Sequence, residues 1–121
     1  MTPKENYDMK RENFIEKTKL YFDFLITEFD FDKPNYKFSD QPNGVIIADE
    51  FEFNNTNKNL KIVLSNSYHP VDYGFEINLI DLKTGTEEML HSVLKENQDI
   101  EQNYLKNASE FLKNGFGQRL H

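Results

Sequence analysis

The residues between positions 45 and 82 constrain this chain more than any others. They read Val45-Ile-Ile-Ala-Asp-Glu-Phe-Glu-Phe53, an Asn-rich polar turn, Leu60-Lys-Ile-Val-Leu-Ser65, a loop, and Tyr73-Gly-Phe-Glu-Ile-Asn-Leu-Ile-Asp-Leu82. Each run is rich in β-branched and aromatic residues and alternates apolar with polar positions. Val45, Ile47, Phe51 and Phe53 share one side of the first run, with Asp49 as a charged exception. Leu60, Ile62 and Leu64 share one side of the second, opposite Lys61, Val63 and Ser65. Tyr73, Phe75, Ile77 and Leu79 share one side of the third, opposite Glu76 and Asn78. Such runs, separated by turn residues, predict an antiparallel meander with one buried and one wetter face.

The flanks carry helical patterning. Thr2-Pro3-Lys4-Glu5 is a capping box with proline at the first helical position. From there to about Glu28 the stripe Phe14, Thr18, Phe22, Leu25 and Phe29 steps by three or four residues. Pro34 marks the end of that segment, Tyr36-Lys-Phe38 forms a short edge strand, and Gln41-Pro-Asn-Gly44 forms a tight turn. Beyond Leu82, Lys83-Thr-Gly-Thr86 supplies a turn and a cap for a short helix. Its first turn holds Glu87 and Glu88, its stripe is Met89, Leu90, Val93 and Leu94, and it ends near Asn97. A last helix starts near Asp99, carries Ile100, Tyr104, Ala108, Phe111 and Leu112, and is capped by Gly115. The tail from Phe116 to His121 either docks by Phe116 and Leu120 or is disordered. The fold expected is one α+β domain over residues 1–121. It has a meander of three to four strands, with an N-terminal helix and two C-terminal helices packed on one face.

Composition narrows the role. With 121 residues, eleven Phe and six Tyr, the chain buries a core without covalent staples. It has no cysteine, which excludes disulfides, thiolate catalysis and the common structural zinc sites. The N-terminal residues show no apolar signal core and no run approaches membrane-spanning length, so a bacterial or phage protein of the cytoplasm, without a membrane partner, is expected. The formal charge is −7, from 21 acidic and 14 basic residues. That balance argues against direct nucleic-acid binding, which needs a basic footprint. It suits solubility alone, or docking onto a basic protein partner.

Serine nucleophile elbows, Gly-rich phosphate loops, dinucleotide fingerprints and zinc-protease helices are absent from the sequence. Glu88-Met-Leu-His91 places a carboxylate and an imidazole at helical spacing, but carboxylate-bridged metal bundles need that motif twice. No catalytic residue, metal or cofactor is therefore expected. Two groups of residues remain as partner-binding candidates. The loop Asn66-Ser-Tyr-His-Pro-Val-Asp-Tyr-Gly74 offers Tyr68, His69, Asp72 and Tyr73, a mixture of aromatic area and polar tips favoured at interfaces. Its alternative is a plain strand connection bent by Pro70 and Gly74. Asp49, Glu50, Glu52 and Glu76 form the second group, an acidic patch if the first and third strands lie close together. Its alternative is a solvated sheet face.

The order helix, strands, helices, with Phe24-Leu-Ile-Thr-Glu-Phe-Asp-Phe31, the meander, and Tyr104-Leu-Lys-Asn-Ala-Ser-Glu-Phe-Leu-Lys-Asn-Gly115, resembles small uncharacterised bacterial α+β proteins that are themselves similar to immunity proteins of polymorphic-toxin loci. The likeness lies in hydrophobic spacing across most of the chain. The ending Gly115-Phe-Gly-Gln-Arg departs from the Gly-Asp-type ending of some members. The resemblance implies inhibition by binding and carries over no site. The expected function is thus a non-enzymatic acidic binding protein, an immunity-type inhibitor occluding a basic toxin or effector, as monomer or homodimer. The alternatives are a phage-encoded inhibitor or nucleic-acid mimic of a host defence protein, and a small ligand-binding or hydrolytic domain using His69 with Asp72.

Overall fold

The computed structural model describes residues 2–44, 46–68 and 74–120. Val45, His69, Asp72 and Tyr73, named above, lie outside the described residues. The elements in chain order are α1 (Pro3–Tyr21), α2 (Phe24–Thr27), β1 (Asn35–Asp40), β2 (Ile46–Asn55), β3 (Leu60–Ser67), β4 (Phe75–Asp81), β5 (Glu87–Val93), a 3-10 turn (Lys95–Asn97) and α3 (Tyr104–Leu120). The strands form one antiparallel sheet in the order β1-β2-β3-β4-β5, so each pairs with its neighbour in sequence.

The expected α+β class and the meander are present, with five strands where three to four were expected and one long C-terminal helix in place of two. The residues expected to form the short helix after Thr86 are strand β5. Thr84-Gly85-Thr86 closes a hairpin instead: Gly85 has φ +77°, its N–H donates to Asp81 O, and the Asp81 N–H donates to Thr86 O. Leu90 and Val93, at helical spacing, both reach the core because β5 is bulged, whereas Met89 is exposed on the other face. Ile77 pairs with His91 and Asn78 with Met89, so Leu90 is an extra residue on the edge strand. The bulge shifts the alternation by one, which brings both Leu90 and Val93 toward the core.

At the N-terminus the expected cap forms. The Thr2 hydroxyl accepts from the Glu5 N–H at 3.1 Å, and Pro3 opens α1. The helical stripe breaks at Phe22–Asp23 and resumes as α2, and Asp30 adopts φ 63° beyond it. Phe22, Leu25, Phe29 and Phe31 nevertheless all enter the core. At the other end α3 runs through Gly115 to Leu120, so Gly115 is a helix-interior residue and not a cap. The tail docks: Leu120 is fully buried and Phe116 packs against the core.

Both long helices lie on one face of the sheet. Phe14 of α1 rests between Phe51 and Phe75, with ring centroids 6.1 Å from each. Tyr104 of α3 meets Phe75 at 5.4 Å, and Phe111 of α3 meets His91 at 4.7 Å. Each large apolar side chain fully buried here contributes roughly 1.5–3 kcal/mol. The helices also hold each other's flanks: Asn13 Nδ2 donates to Ile100 O at 3.1 Å, and Lys17 Nζ donates to Glu101 O and to Asn103 Oδ1. Among the described residues, no helix is long and apolar enough to cross a membrane.

Candidate functional site

Among the described residues the face of the sheet away from the helices is open, and the strand register orders its side chains into rows. One row runs Lys37, Glu50, Ser65, Glu76, Ser92 across the five strands. The next runs Asn35, Glu52, Val63, Asn78, Met89, and a third runs Asn54, Lys61, Ile80, Glu87. Glu50 and Glu76 thus face the same way, two strands apart, with backbones about 10 Å from each other. The first and third sequence runs are not neighbours in the sheet, since Ser65 on β3 stands between Glu50 and Glu76.

The carboxylates on this face differ in their surroundings. Glu52 takes a hydrogen bond from Lys37 Nζ at 2.9 Å and lies 3.6 Å from Lys61 Nζ. The bond from Lys37, aided by Lys61, holds its carboxyl below the usual range. Glu50 sits between strands without such a bond, and burial pushes its carboxyl up, with the charges of Glu52 and Glu87 adding to the push against Lys37 and Lys61. The open face therefore presents one compensated carboxylate and one electrostatically disfavoured carboxylate side by side.

Asp49 is not part of that face. It points under the helices, with none of its surface exposed. There it accepts from Arg11 Nε at 3.1 Å and Arg11 Nη2 at 2.9 Å, from the Tyr68 hydroxyl at 2.8 Å, and from the Tyr36 hydroxyl. Two oxygens with four donors are a saturated carboxylate. The charge that broke the apolar pattern of β2 is thus satisfied inside the molecule and cannot contact a partner directly. Burial, then the neighbouring Asp49 charge, pushes the Tyr68 hydroxyl well above its usual range; Tyr36 is raised by burial and by its bond to Asp49. Both tyrosines are held as donors. The Tyr68 ring packs edge-on against Tyr7 at 5.4 Å, so Tyr68 is half-buried and serves the interior.

A second polar group continues this layer. Asn66 lies opposite Asp49 in the ladder and is fully buried. It donates to Gln102 Oε1 at 3.3 Å and accepts from Gln98 Nε2 at 3.0 Å, while the Tyr104 hydroxyl donates to Gln102 Oε1 at 2.7 Å. Gly74 packs against the same region with φ +91°, and a Cβ there would lie 2.6 Å from Val93 O and 2.7 Å from Lys95 N. Tyr36, Arg11, Asp49, Tyr68, Asn66, Gln102 and Tyr104 thus line one end of the core beneath the residues that lead into the 66–74 loop.

Arg11 and Tyr36 are the residues that the sequence reading did not single out. The signal for them was Asp49 itself, because a charge on an apolar strand face requires a partner. Glu88 and His91, considered as a helical pair, are two strand residues: Glu88 pairs with Arg119 Nη2 at 2.7 Å, while His91 stacks on Phe111 and burial lowers its imidazole pKa. Among the described residues no group of three or more His, Cys, Asp or Glu side chains could hold a metal ion. A shallow cleft of about 590 Å³ between α2 and α3 is lined by Glu28, Phe29, Lys113, Asn114, Gly117 and Gln118, and its two charges pair with each other at 2.8 Å. No protein-family model, no curated protein and no solved structure matches the chain.

Proposed function

We propose that this chain is a non-enzymatic acidic binding protein of the immunity type, which inhibits a basic toxin or effector by laying the open face of its sheet over the partner's cationic site. The observation that carries the reading is the state of Glu50. It is half-buried among the side chains of an uncovered face, its charge is disfavoured by burial and by Glu52 and Glu87, and a cation delivered from outside would relieve it. Glu76 stands in the same row, and Glu87 completes the acidic side of the surface. A net charge of −7 supports the same assignment by attracting a basic partner before contact. In this mechanism the partner's Lys or Arg side chains enter beside Glu50 and Glu76, and occlusion requires no chemistry by this chain.

The test is affinity capture from native lysate with the folded chain as bait, read by mass spectrometry at low and at moderate salt. One basic protein captured in stoichiometric amount, and associating more slowly as salt rises, is the expected result. Reversal of Glu50→Lys together with Glu76→Lys should slow that association by about tenfold or more. Glu52 is left intact because Lys37 and Lys61 depend on it. Capture of no partner at either salt, or unchanged association by the reversed variant, overturns the reading.

A further inference from the structure

We propose that β1 is the contact through which two copies of this chain pair, edge to edge, into one continuous sheet. This inference is independent of the inhibitor reading. The strand order leaves β1 and β5 as the two edges. All six residues of β1 are exposed, and among the described residues no strand pairs with its outer side, which as a sheet edge offers backbone donors and acceptors. On the helix side of the sheet Tyr36 and Phe38 remain 40% and 54% exposed, with their rings 6.3 Å apart and Tyr36 leaning on Phe51. The usual devices that protect an edge are weak here. Pro34 precedes the strand, and the irregularity in its pairing falls at its far end, between Ser39 and Asp40. By contrast β5 is bulged in its middle at Leu90 and carries Glu87 and Glu88.

Charge and register select a second copy as the occupant. A two-fold axis normal to the sheet keeps both copies facing the same way, so residues of like facing meet. Four registers centre on the strand, and with Ser39 opposite itself the irregularity between Ser39 and Asp40 falls in the middle of the contact. With Lys37 opposite itself, two ammonium groups stack, which is unfavourable. With Tyr36 opposite itself, Phe38 runs against Pro34, which has no N–H to give to the ladder. With Phe38 opposite itself, Lys37 faces Ser39 of the second copy and the exposed aromatics of both strands close into one cluster. The strand holds one Lys and one Asp, so the contact itself is neutral. The acidic charge elsewhere is screened beyond about 8–10 Å at ordinary salt. A six-residue edge buries less than the standard interface of about 1,200–2,000 Å², so the dimer is weak and concentration-dependent. It places two open acidic faces side by side.

The experiment is sedimentation velocity on the full chain over a series from micromolar to millimolar concentration. The average mass is expected to rise from 14.4 kDa toward twice that value, and Phe38→Lys should remain monomeric throughout with an unchanged circular dichroism spectrum and melting curve. Because the chain has no cysteine, a single Phe38→Cys substitution reports the register. Opposed Cα atoms about 4.5–5.5 Å apart fall within disulfide reach. Under mild oxidation Phe38→Cys should cross-link several times faster than Lys37→Cys or than Leu20→Cys on the exposed end of α1. A monomer at every concentration, a dimer that survives Phe38→Lys, or equal cross-linking rates at the three positions overturns the proposal.

Discussion

Arg11 of α1 and Asp49 of β2 are joined by two hydrogen bonds, Nε to Oδ2 at 3.1 Å and Nη2 to Oδ1 at 2.9 Å, across 38 residues of sequence. The carboxylate is fully buried, whereas the arginine keeps 19% of its side chain exposed. The N-terminal half of α1 has no buried apolar residue before Phe14, so this pair and the Tyr7–Tyr68 ring contact are what seat it on the sheet. Removing one partner of such a pair costs more than the pair itself contributes, because the other charge is left in the interior. Arg11→Ala is therefore expected to lose about 3 kcal/mol of stability. Asp49→Ala lets the freed guanidinium turn to water but leaves the Tyr68 and Tyr36 hydroxyls without their acceptor, so a loss of similar size is expected. In urea unfolding the double variant should cost less than the two single losses added together. Additive losses would mean that the two residues act separately.

Gly74 should tolerate no side chain. Alanine there would set a Cβ 2.6 Å from Val93 O and 2.7 Å from Lys95 N, in a conformation with φ +91°. Backbone atoms cannot step aside as a flexible side chain can. The expected loss is at least about 2 kcal/mol. Gly85 has φ +77° but nothing within 4 Å, so Gly85→Ala should lose only about 1 kcal/mol, the cost of the left-handed backbone. Thermal unfolding of both variants checks the ratio.

Gly115 gives a prediction of opposite sign. It lies inside α3, and beyond its neighbours and the helix's own backbone no atom lies within 4 Å of where a Cβ would stand. Gly115→Ala is expected to stabilise the chain by about 0.5–1 kcal/mol, as a helix-interior glycine replaced without a clash should. A glycine serving as a left-handed cap would instead lose stability on the same substitution. The sign of the change in melting temperature distinguishes the two.

Which parts of this architecture the sequence disclosed follows from the range of the forces involved. Thr2 with Glu5, and the alternation of Leu60, Ile62 and Leu64, are local patterns, and both elements form where those patterns lie. The bulge at Leu90 is not local, since it exists only against Ile77 and Asn78 on β4. Without that partner, Met89, Leu90, Val93 and Leu94 read as a helical stripe. Gly115 misled for a related reason: helix propensity suggested a stop, and the burial of Leu112, Phe116 and Leu120 carried the helix onward. On the open face, the facing of Glu50, Glu52 and Glu76 followed from period two alone. Asp49 shared their chemistry but had the opposite parity, and its partners Arg11 and Tyr36 lie on other elements.

Glu50 should make stability depend on pH in a defined direction. Burial raises its folded-state pKa, so the folded chain holds this proton more tightly than the unfolded chain does. Folding therefore loses stability as pH rises through the carboxylate range, and the whole loss is present above the folded pKa. Glu50→Gln should raise the melting temperature at neutral pH, and the gain should vanish below about pH 3, where the unfolded carboxyl is also protonated. A gain that persists in acid would assign the effect to packing and not to charge.

The consecutive strand order bears on how the chain reaches this state. Each hairpin of the sheet can close on its own sequence neighbour, at the small entropic cost of a short loop. Two contacts of α1 are different, because Asn13 meets Ile100 and Lys17 meets Asn103 only after the chain has come round through 87 and 86 residues. Those two contacts close long loops, and the cost of closing them makes them late to form on general grounds. Contacts that form so late shape the rate of departure more than the rate of arrival, so removing these two is expected to shorten the lifetime of the native state while leaving its rate of formation nearly unchanged.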